Sequence, residues 1–445
     1  RRRELLERID SLRPTEEMLG PYHRWYSLDY GLWSTQTYSD YHEPESSGVP
    51  AWAFSNDTRW WMNAGVRMPD DLRKFAGFDH SVYLRFKNLY TYEQRGDNDV
   101  DGPHFDLLYW SGNFKRLKTR LGRRFLYLGR GIVYGNTHDG VDLTLELNEF
   151  NIKAFYAHTQ KHEHNIDTSA PAFDKRYYRR FVGFQLDYLK LAQHRPYAFY
   201  LRSKDLSDED PIDTRRDFKY DAWYYGLGSS GELYFPNLRY FVEHVWQRGK
   251  SFLADSLNRT RIHAYATDLG LEYFFQVYSH PALKLEYAHG SGDAERSNVT
   301  NTTGGNAAGF DKNFLYFGTF TSGGFALNAR LSNIDVYKVG LTLKPFEGIQ
   351  SHQASKIPLL WGMRDFTLGA NYHVFKKDES LGAISDTRAT RNLHDIGQEW
   401  DLFFTWRMAS DIVWTGKWGH FNTGTAFADD VENEHFLSSS LTFSF

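Results

Sequence analysis

The feature that most constrains this chain is a side-chain alternation of period two in which one of the two faces carries charge. In SVYLRFKNLYTYEQ (81–94), Val82, Leu84, Phe86, Tyr90 and Tyr92 fall on one face of an extended strand, and Arg85, Lys87, Thr91 and Glu93 on the other. A strand covered on both sides does not hold a row of charges for that length, so the charged face meets water. The pattern returns in GVDLTLELNEF (140–150), PALKLEYAHG (281–290) and DIGQEWDLFFTWRM (395–408). It closes the chain in HFLSSSLTFSF (435–445), where Leu437, Leu441, Phe443 and Phe445 alternate with Ser438, Ser440, Thr442 and Ser444.

The apolar face needs a partner, and composition points to lipid. Tyr, Phe and Trp make up 17% of the chain, with 29 Tyr and 13 Trp, the amphipathic rings that line membrane–water interfaces. No uninterrupted apolar run approaches the roughly 18 residues of a membrane-spanning helix, which excludes a helical membrane protein. A transmembrane barrel escapes that requirement because only every second residue of a strand of about 10 faces lipid, so a mean hydropathy of −0.60 is compatible with it. The absence of cysteine fits an exported protein, and a net charge of −4 gives no support for a nucleic-acid partner.

Connections carry a second signal. About 18 candidate strands are joined by links that alternate between short (NEF near 150, AQHR near 194, SHPA near 280, ASD near 410) and long, polar ones such as HTQKHEHNIDTSAPAFDKR and the Gly-rich run from 290 to about 330. Short periplasmic turns, long extracellular loops and an even strand count are the marks of outer-membrane barrels. The expectation is therefore an all-β fold, a transmembrane antiparallel up-and-down β-barrel of about 18 strands over residues 23–445. A short N-terminal periplasmic helical segment, 1–22, precedes it, with Leu5, Leu6, Ile9 and Leu12 on one face and Pro14 ending it. No signal peptide is visible at RRRELLERID, so the numbering of an exported chain is expected to start after processing. The link 344–365 breaks the rule, being long on the short-turn side. It is expected either to fold over the periplasmic mouth or to hide a strand pair. Phe443 and Phe445 read as the insertion signal for the barrel-assembly machinery, in the outer membrane of a Gram-negative bacterium, among outer-membrane lipid and lipopolysaccharide.

Several stretches, in order from about 80 to 445, resemble the bacterial alginate-export family of outer-membrane porins. RLGRRFLYLGRG (120–131) looks like that family's Gly-Arg strand, VYGNTHDGVDLTLELNEFNIKAFYAHT (133–159) like its following loop and hairpin, and KLEYAHGSGD (284–293) like its strand ending in Gly-Asp. LSNIDVYKVGLTLKP (331–345) is similar to its Ser-Asn strand, and HDIGQEWDLFFTW (394–406) to its Asp-Ile-Gly-Gln-Glu strand. The resemblance implies an eighteen-stranded barrel and passive conduction, with a periplasmic export partner as a further expectation. An arginine-rich lumen suits polyuronates because guanidinium forks match carboxylates. Here the expected lumen face is mixed. Arg85, Lys87, Lys153, Arg202, Lys204 and Arg407, with Arg123, Arg124 and Arg130 near the Gly-Arg strand, stand against Glu399, Asp401 and other carboxylates. Such opposite charges also satisfy one another as ladders between strands, so selectivity is assigned to the set. A polar or anionic solute, up to an exopolysaccharide, is the expected cargo.

Other chemistry is thinner. DNDVDG (97–102) matches the opening half of a calcium loop, with Asp97, Asp99 and Asp101 as ligands for Ca2+ in an extracellular loop; Leu108 stands where the closing Glu belongs, which favours a solvated acidic tip. His158, His162 and His164 read as a hydrophilic loop before a metal site. No nucleophile elbow, zinc-protease motif or phosphate loop occurs, so no catalytic residue and no required cofactor is assigned. The competing readings are a barrel hydrolase of lipid or polysaccharide, for which His138 beside Asp139 is the nearest candidate, and a scaffold or adhesin acting through its long loops.

Overall fold

The computed structural model describes residues 26–42, 52–66, 78–94, 98–159, 178–206, 219–253, 258–296, 299, 302, 305–347 and 363–445. Within them run β1 (Tyr26–His42), β2 (Trp52–Val66), β3 (Phe78–Glu93), β4 (Asn98–Phe114), β5 (Leu117–Leu128), β6 (Tyr134–Glu146), β7 (Phe150–His158), β8 (Arg179–Tyr188) and β9 (His194–Asp205). They continue as β10 (Asp221–Glu232), β11 (Leu238–Phe252), β12 (Arg259–Phe274), β13 (Ala282–Gly290), β14 (Ile334–Leu343), β15 (Thr367–Lys376), β16 (Asp395–Ala409), β17 (Ile412–Thr423) and β18 (Glu434–Ser444). Each pairs antiparallel with its chain neighbours and β1 pairs with β18, closing an 18-stranded barrel among the described residues.

Closure uses the last residue of the chain. The Phe445 N–H donates to Leu32 O at 2.8 Å and the Leu32 N–H to Phe445 O at 3.0 Å. On the inner face Thr35 meets Thr442 at 3.0 Å and Thr37 meets Ser440 at 2.8 Å. The serines and threonines of the terminal alternation thus zip the seam inside, while Leu437 and Leu441 stay outside, and no strand edge is left open.

The outer face is apolar and exposed, with Leu28, Trp60, Val82, Leu121, Leu227 and Leu269 pointing away from the interior. Rings collect in rows across it. Phe184, Tyr200, Tyr225, Trp246 and Tyr265 are register partners on five successive strands, and the Tyr200 and Tyr225 rings lie 5.3 Å apart. An apolar band with aromatic rows is what an outer-membrane barrel presents to lipid.

The lumen is not an empty tube. A hydrophobic cluster that includes Leu126, Leu128, Tyr134, Phe155, Phe181, Tyr224, Phe314, Leu315 and Phe317 is buried inside the barrel. It forms where the tip of the β5–β6 hairpin and the 291–333 segment turn inward against the wall. The long, polar, Gly-rich link expected from 290 to about 330 is therefore, in its described residues, largely interior. The segment 1–22 lies outside the described residues, and so does 348–362 in the middle of the irregular link. That link hides no strand pair among the described residues, because β14 and β15 pair directly as far as Leu343 and Leu368.

Candidate permeation pathway

Two glycines begin the constriction. The β4–β5 ladder ends at Leu108–Arg123 and the β6–β7 ladder starts at Asp139–His158, so residues 124–138 are held by neither flanking strand. Gly122 and Gly140 are register partners at that point. Gly122 has φ +127°, a region that L side chains rarely adopt, and a Cβ on Gly140 would lie 2.2 Å from Tyr156 O. The hairpin bends there and crosses the lumen. Gly140→Val is expected to cost about 1–3 kcal/mol through overpacking against that carbonyl, read as a lower urea midpoint for unfolding of the reconstituted barrel.

The hairpin tip is tied to the far wall. The Gly129 N–H donates to Gln185 on β8 at 2.9 Å and the Arg130 N–H to the Glu243 carboxylate on β11 at 2.8 Å, while the Arg130 guanidinium donates to Asp268 on β12 at 2.9 Å. The guanidinium carbon lies 3.5 Å from the centroid of the Phe241 ring, and Tyr197 donates to Glu243 at 2.6 Å. Beneath the hairpin the Lys153 ammonium donates to the Tyr127 carbonyl. Charge-assisted bonds to groups with this little freedom hold a loop more firmly than neutral ones.

The 291–333 segment fills the neighbouring sector. Gln247 reads it from the wall: its amide donates to Tyr220 OH at 2.6 Å and Tyr224 OH at 3.1 Å, and its oxygen accepts the Leu315 N–H at 3.0 Å. Arg296 and Asp311 form a fully buried pair at 2.5 Å within the segment. Ser322 donates to Glu286 at 2.6 Å. The Glu399 carboxylate accepts the backbone N–H groups of Phe325, Ala326 and Leu327 at 2.5, 2.7 and 3.1 Å, so one buried anion satisfies three successive donors.

Among the described residues, open space lies against β2–β4. A cavity of about 500 Å³ is bordered by Arg59, Arg85, Lys87, Asp101, His104, Asp106, Arg123, Asn136 and Thr137. Arg85 donates to Asp106 at 2.5 Å, Lys87 to Asp101 at 2.6 Å, and Arg59 to Asp57 at 2.6 Å. The Arg85 guanidinium carbon lies 5.3 Å from the Trp33 ring centroid. Four cations border the cavity with two carboxylates, and two more carboxylates, Asp57 and Asp139, hold Arg59 and Arg123 from behind at 2.6 and 2.8 Å. None of these ion pairs is deeply buried.

The residues expected from the sequence separate into groups. Arg85, Lys87 and Arg123 border the open cavity; Arg123, the last rung of the β4–β5 ladder, donates to Asp139 at 2.8 Å. Arg130 is at the hairpin tip, partly open to the lumen, and Arg407 is exposed on the inner face near the short-turn end of β16. Arg124 is paired with buried Asp142 at 2.5 Å, and Glu399 and Asp401 lie buried beneath the 291–333 segment. Arg202 and Lys204 require a correction. They are exposed on the outer face of β9, while Leu201, Ser203 and Asp205 point inward and are buried. The lumen is filled at that level, so the inner face is packed there and the charges turn outward.

The calcium-loop geometry is also corrected. Asn98–Phe114 is strand, which places Asp99 and Asp101 on one extended face, with Asp101 bound to Lys87; Asp97, His162 and His164 lie outside the described residues. His138 and Asp139 form no dyad, since His138 is buried and contacts Tyr134 OH at 2.6 Å while Asp139 binds Arg123. Sequence reasoning missed Arg59, Gln247 and the inward segment. FLYFGTF (314–320), an aromatic run inside a polar link, was the available signal for the last of these.

A model of the family described as alginate export matches residues 104–436. Solved structures share the fold across 94% of this chain at low identity. Pseudomonas aeruginosa OccK11 (OpdR) has a TM-score of 0.56 at 10% identity with 96% of its own chain covered. Acinetobacter baumannii OccAB1 has 0.56 at 10% with 97% covered. Pseudomonas aeruginosa OccK2 (OpdF), solved in complex with glucuronate, has 0.55 at 10% with 98% covered. No curated protein matches this chain.

Proposed function

This chain belongs to the alginate export family, and from that premise we propose that it is a passive channel for carboxylated sugars across the outer membrane of a Gram-negative bacterium. The observation that carries the reading is the open cavity, where the cationic groups of Arg59, Arg85, Lys87 and Arg123 line one space beside the exchangeable carboxylates of Asp101 and Asp106. Guanidinium forks match carboxylates in pairs, and exchange between the fixed aspartates and a mobile carboxylate lets the solute move without a deep binding minimum. The inward hairpin and segment leave room for a uronate or a short oligouronate at the constriction. Glucuronate in the complex of the structurally similar OccK2 has this chemistry.

The test is single-channel recording of the purified protein in a planar bilayer under a salt gradient, with added glucuronate and oligouronates. A stable, anion-preferring conductance that glucuronate carries and oligouronates block supports the reading. A sealed or cation-preferring barrel overturns it. Oligouronates that pass without blocking would extend the cargo to a polymer.

A further inference from the structure

The outward turn of Arg202 and Lys204 is part of a larger pattern. In one row of register partners Val182, Arg202, Trp223, Arg248 and His263 run from β8 to β12. In the row beyond it, away from the short turns, Arg180 pairs with Lys204, and Asp221 with Lys250 and Lys250 with Arg261. Arg180, Arg202, Lys204, Lys250 and Arg261 are exposed, and the residues beside them in sequence, among them Arg179, Ser203, Ser251 and Ile262, are buried inward. Asp221 is the one carboxylate of these two rows, and it already accepts the Asp205 N–H at 2.9 Å. Arg248 is bound to the carbonyls of Gln247 and Ala264. None of the five exposed cations is ion-paired to a described carboxylate.

The level of these rows matters as much as their sign. They lie directly beyond the aromatic row of Phe184, Tyr200, Tyr225, Trp246 and Tyr265. On β8, Tyr188 at the short-turn end and Arg180 are eight residues apart, roughly 26 Å along the strand and roughly 20 Å along the membrane normal once strands tilt by about 40°. That puts the cations at the outer boundary of the apolar band. The patch spans β8 to β12, four strand spacings or about 19 Å. On β1, β3 and β16 the corresponding outward positions are Tyr38 and Asp40, Tyr90 and Tyr92, and Gln398 and Trp400, and on β15 the exposed Lys376 has Asp335 as its register partner, so among the strands compared the cations without a facing carboxylate gather between β8 and β12.

We propose that this sector of the outer wall binds the phosphorylated headgroup of an outer-leaflet glycolipid, the bisphosphorylated lipid A part of lipopolysaccharide. Its acyl chains would lie against the aromatic row and its two phosphates against the cations. Fixed cations at a membrane surface select anionic headgroups, and two rows over about 19 Å suit two phosphates on one headgroup better than a single phosphodiester. The inference rests on the outer-membrane placement of the barrel and not on which solute crosses it.

The test compares the full-length wild type with a variant carrying Arg180→Gln, Arg202→Gln, Lys204→Gln, Lys250→Gln and Arg261→Gln. Native mass spectrometry in detergent, with melting curves, reads retention of bisphosphoryl lipid A, monophosphoryl lipid A, phosphatidylglycerol and inorganic phosphate. The wild type is expected to hold bisphosphoryl lipid A, with monophosphoryl lipid A weaker, and the variant to bind it at least about tenfold less tightly. Single-channel conductance should be unchanged, because none of the five residues faces the lumen, and this separates failure here from failure of the channel reading. Equal retention by the variant overturns the proposal. Phosphatidylglycerol bound as well as lipid A, or displacement by inorganic phosphate, overturns it in favour of a general anionic-lipid or free-phosphate surface. Should the fivefold variant not fold, the pair Arg202→Gln and Lys250→Gln decides by the same readout.

Discussion

Replacing residues 291–333 with an Asn-Gly turn is expected to raise single-channel conductance roughly three- to tenfold, because an 18-stranded wall without its insert encloses an aqueous channel. The replacement is geometrically mild. Gly290 and Ile334 are register partners, so a two-residue turn closes β13 onto β14 as an ordinary hairpin. The cost falls on the interior, where Tyr224, Phe181 and Ala222 lose the cover of Phe314, Leu315 and Phe317, and a lower melting temperature should accompany the larger conductance. Unchanged conductance in a folded variant would show that the β5–β6 hairpin alone sets the constriction. Glu399→Ala is the milder companion: it strips the acceptor from the N–H groups of Phe325, Ala326 and Leu327 and should give flickering between conductance levels with the barrel intact.

The double variant Arg85→Gln and Lys87→Gln should abolish anion preference. Of the cations bordering the cavity it leaves Arg59 and Arg123, which Asp57 and Asp139 already hold, while Asp101 and Asp106 lose Lys87 and Arg85, so the local charge falls by two. The reversal potential under a salt gradient should shift toward that of a non-selective pore, with the anion-to-cation permeability ratio falling at least about threefold near 0.1 M salt. The shift should shrink toward 1 M, as the screening length drops from about 10 Å to about 3 Å. Arg202→Gln is the control. It removes a cation from the outer face and should leave the reversal potential where it was, whereas a pore with Arg202 in its lumen would respond to it.

The contrast between Arg85 and Arg202 shows how far the site was legible. Both sit on alternating strands, and a rule that charges face the lumen treats them alike. For Arg85 the rule holds because the lumen beside β3 is open to water. For Arg202 it fails because the inner positions of β9, Leu201 and Ser203, are packed within a filled interior and are buried. The face was readable from the alternation only where the environment on each side was also known. Glu399 and Asp401 teach the same lesson from the other direction: they do point inward, but under the 291–333 segment, where they hold backbone and do not meet solute. Gln247 had no sequence signal at all, since its role depends on meeting Leu315 and the Tyr220–Tyr224 stretch, two distant parts of the chain.

The barrel was legible in the chain's local patterns. Period-two alternation and links of alternating length are local properties, and strands that pair with their chain neighbours need little beyond local information to assemble; only the β1–β18 seam spans the chain. The tertiary structure decided the pore. Which cations border open space depends on where a glycine pair bends a hairpin inward, on which buried carboxylates and amides receive it and the segment beside it, and on which sector they leave open. Those contacts join residues more than a hundred positions apart, Arg130 with Glu243 and with Asp268, and no spacing along the chain encodes them.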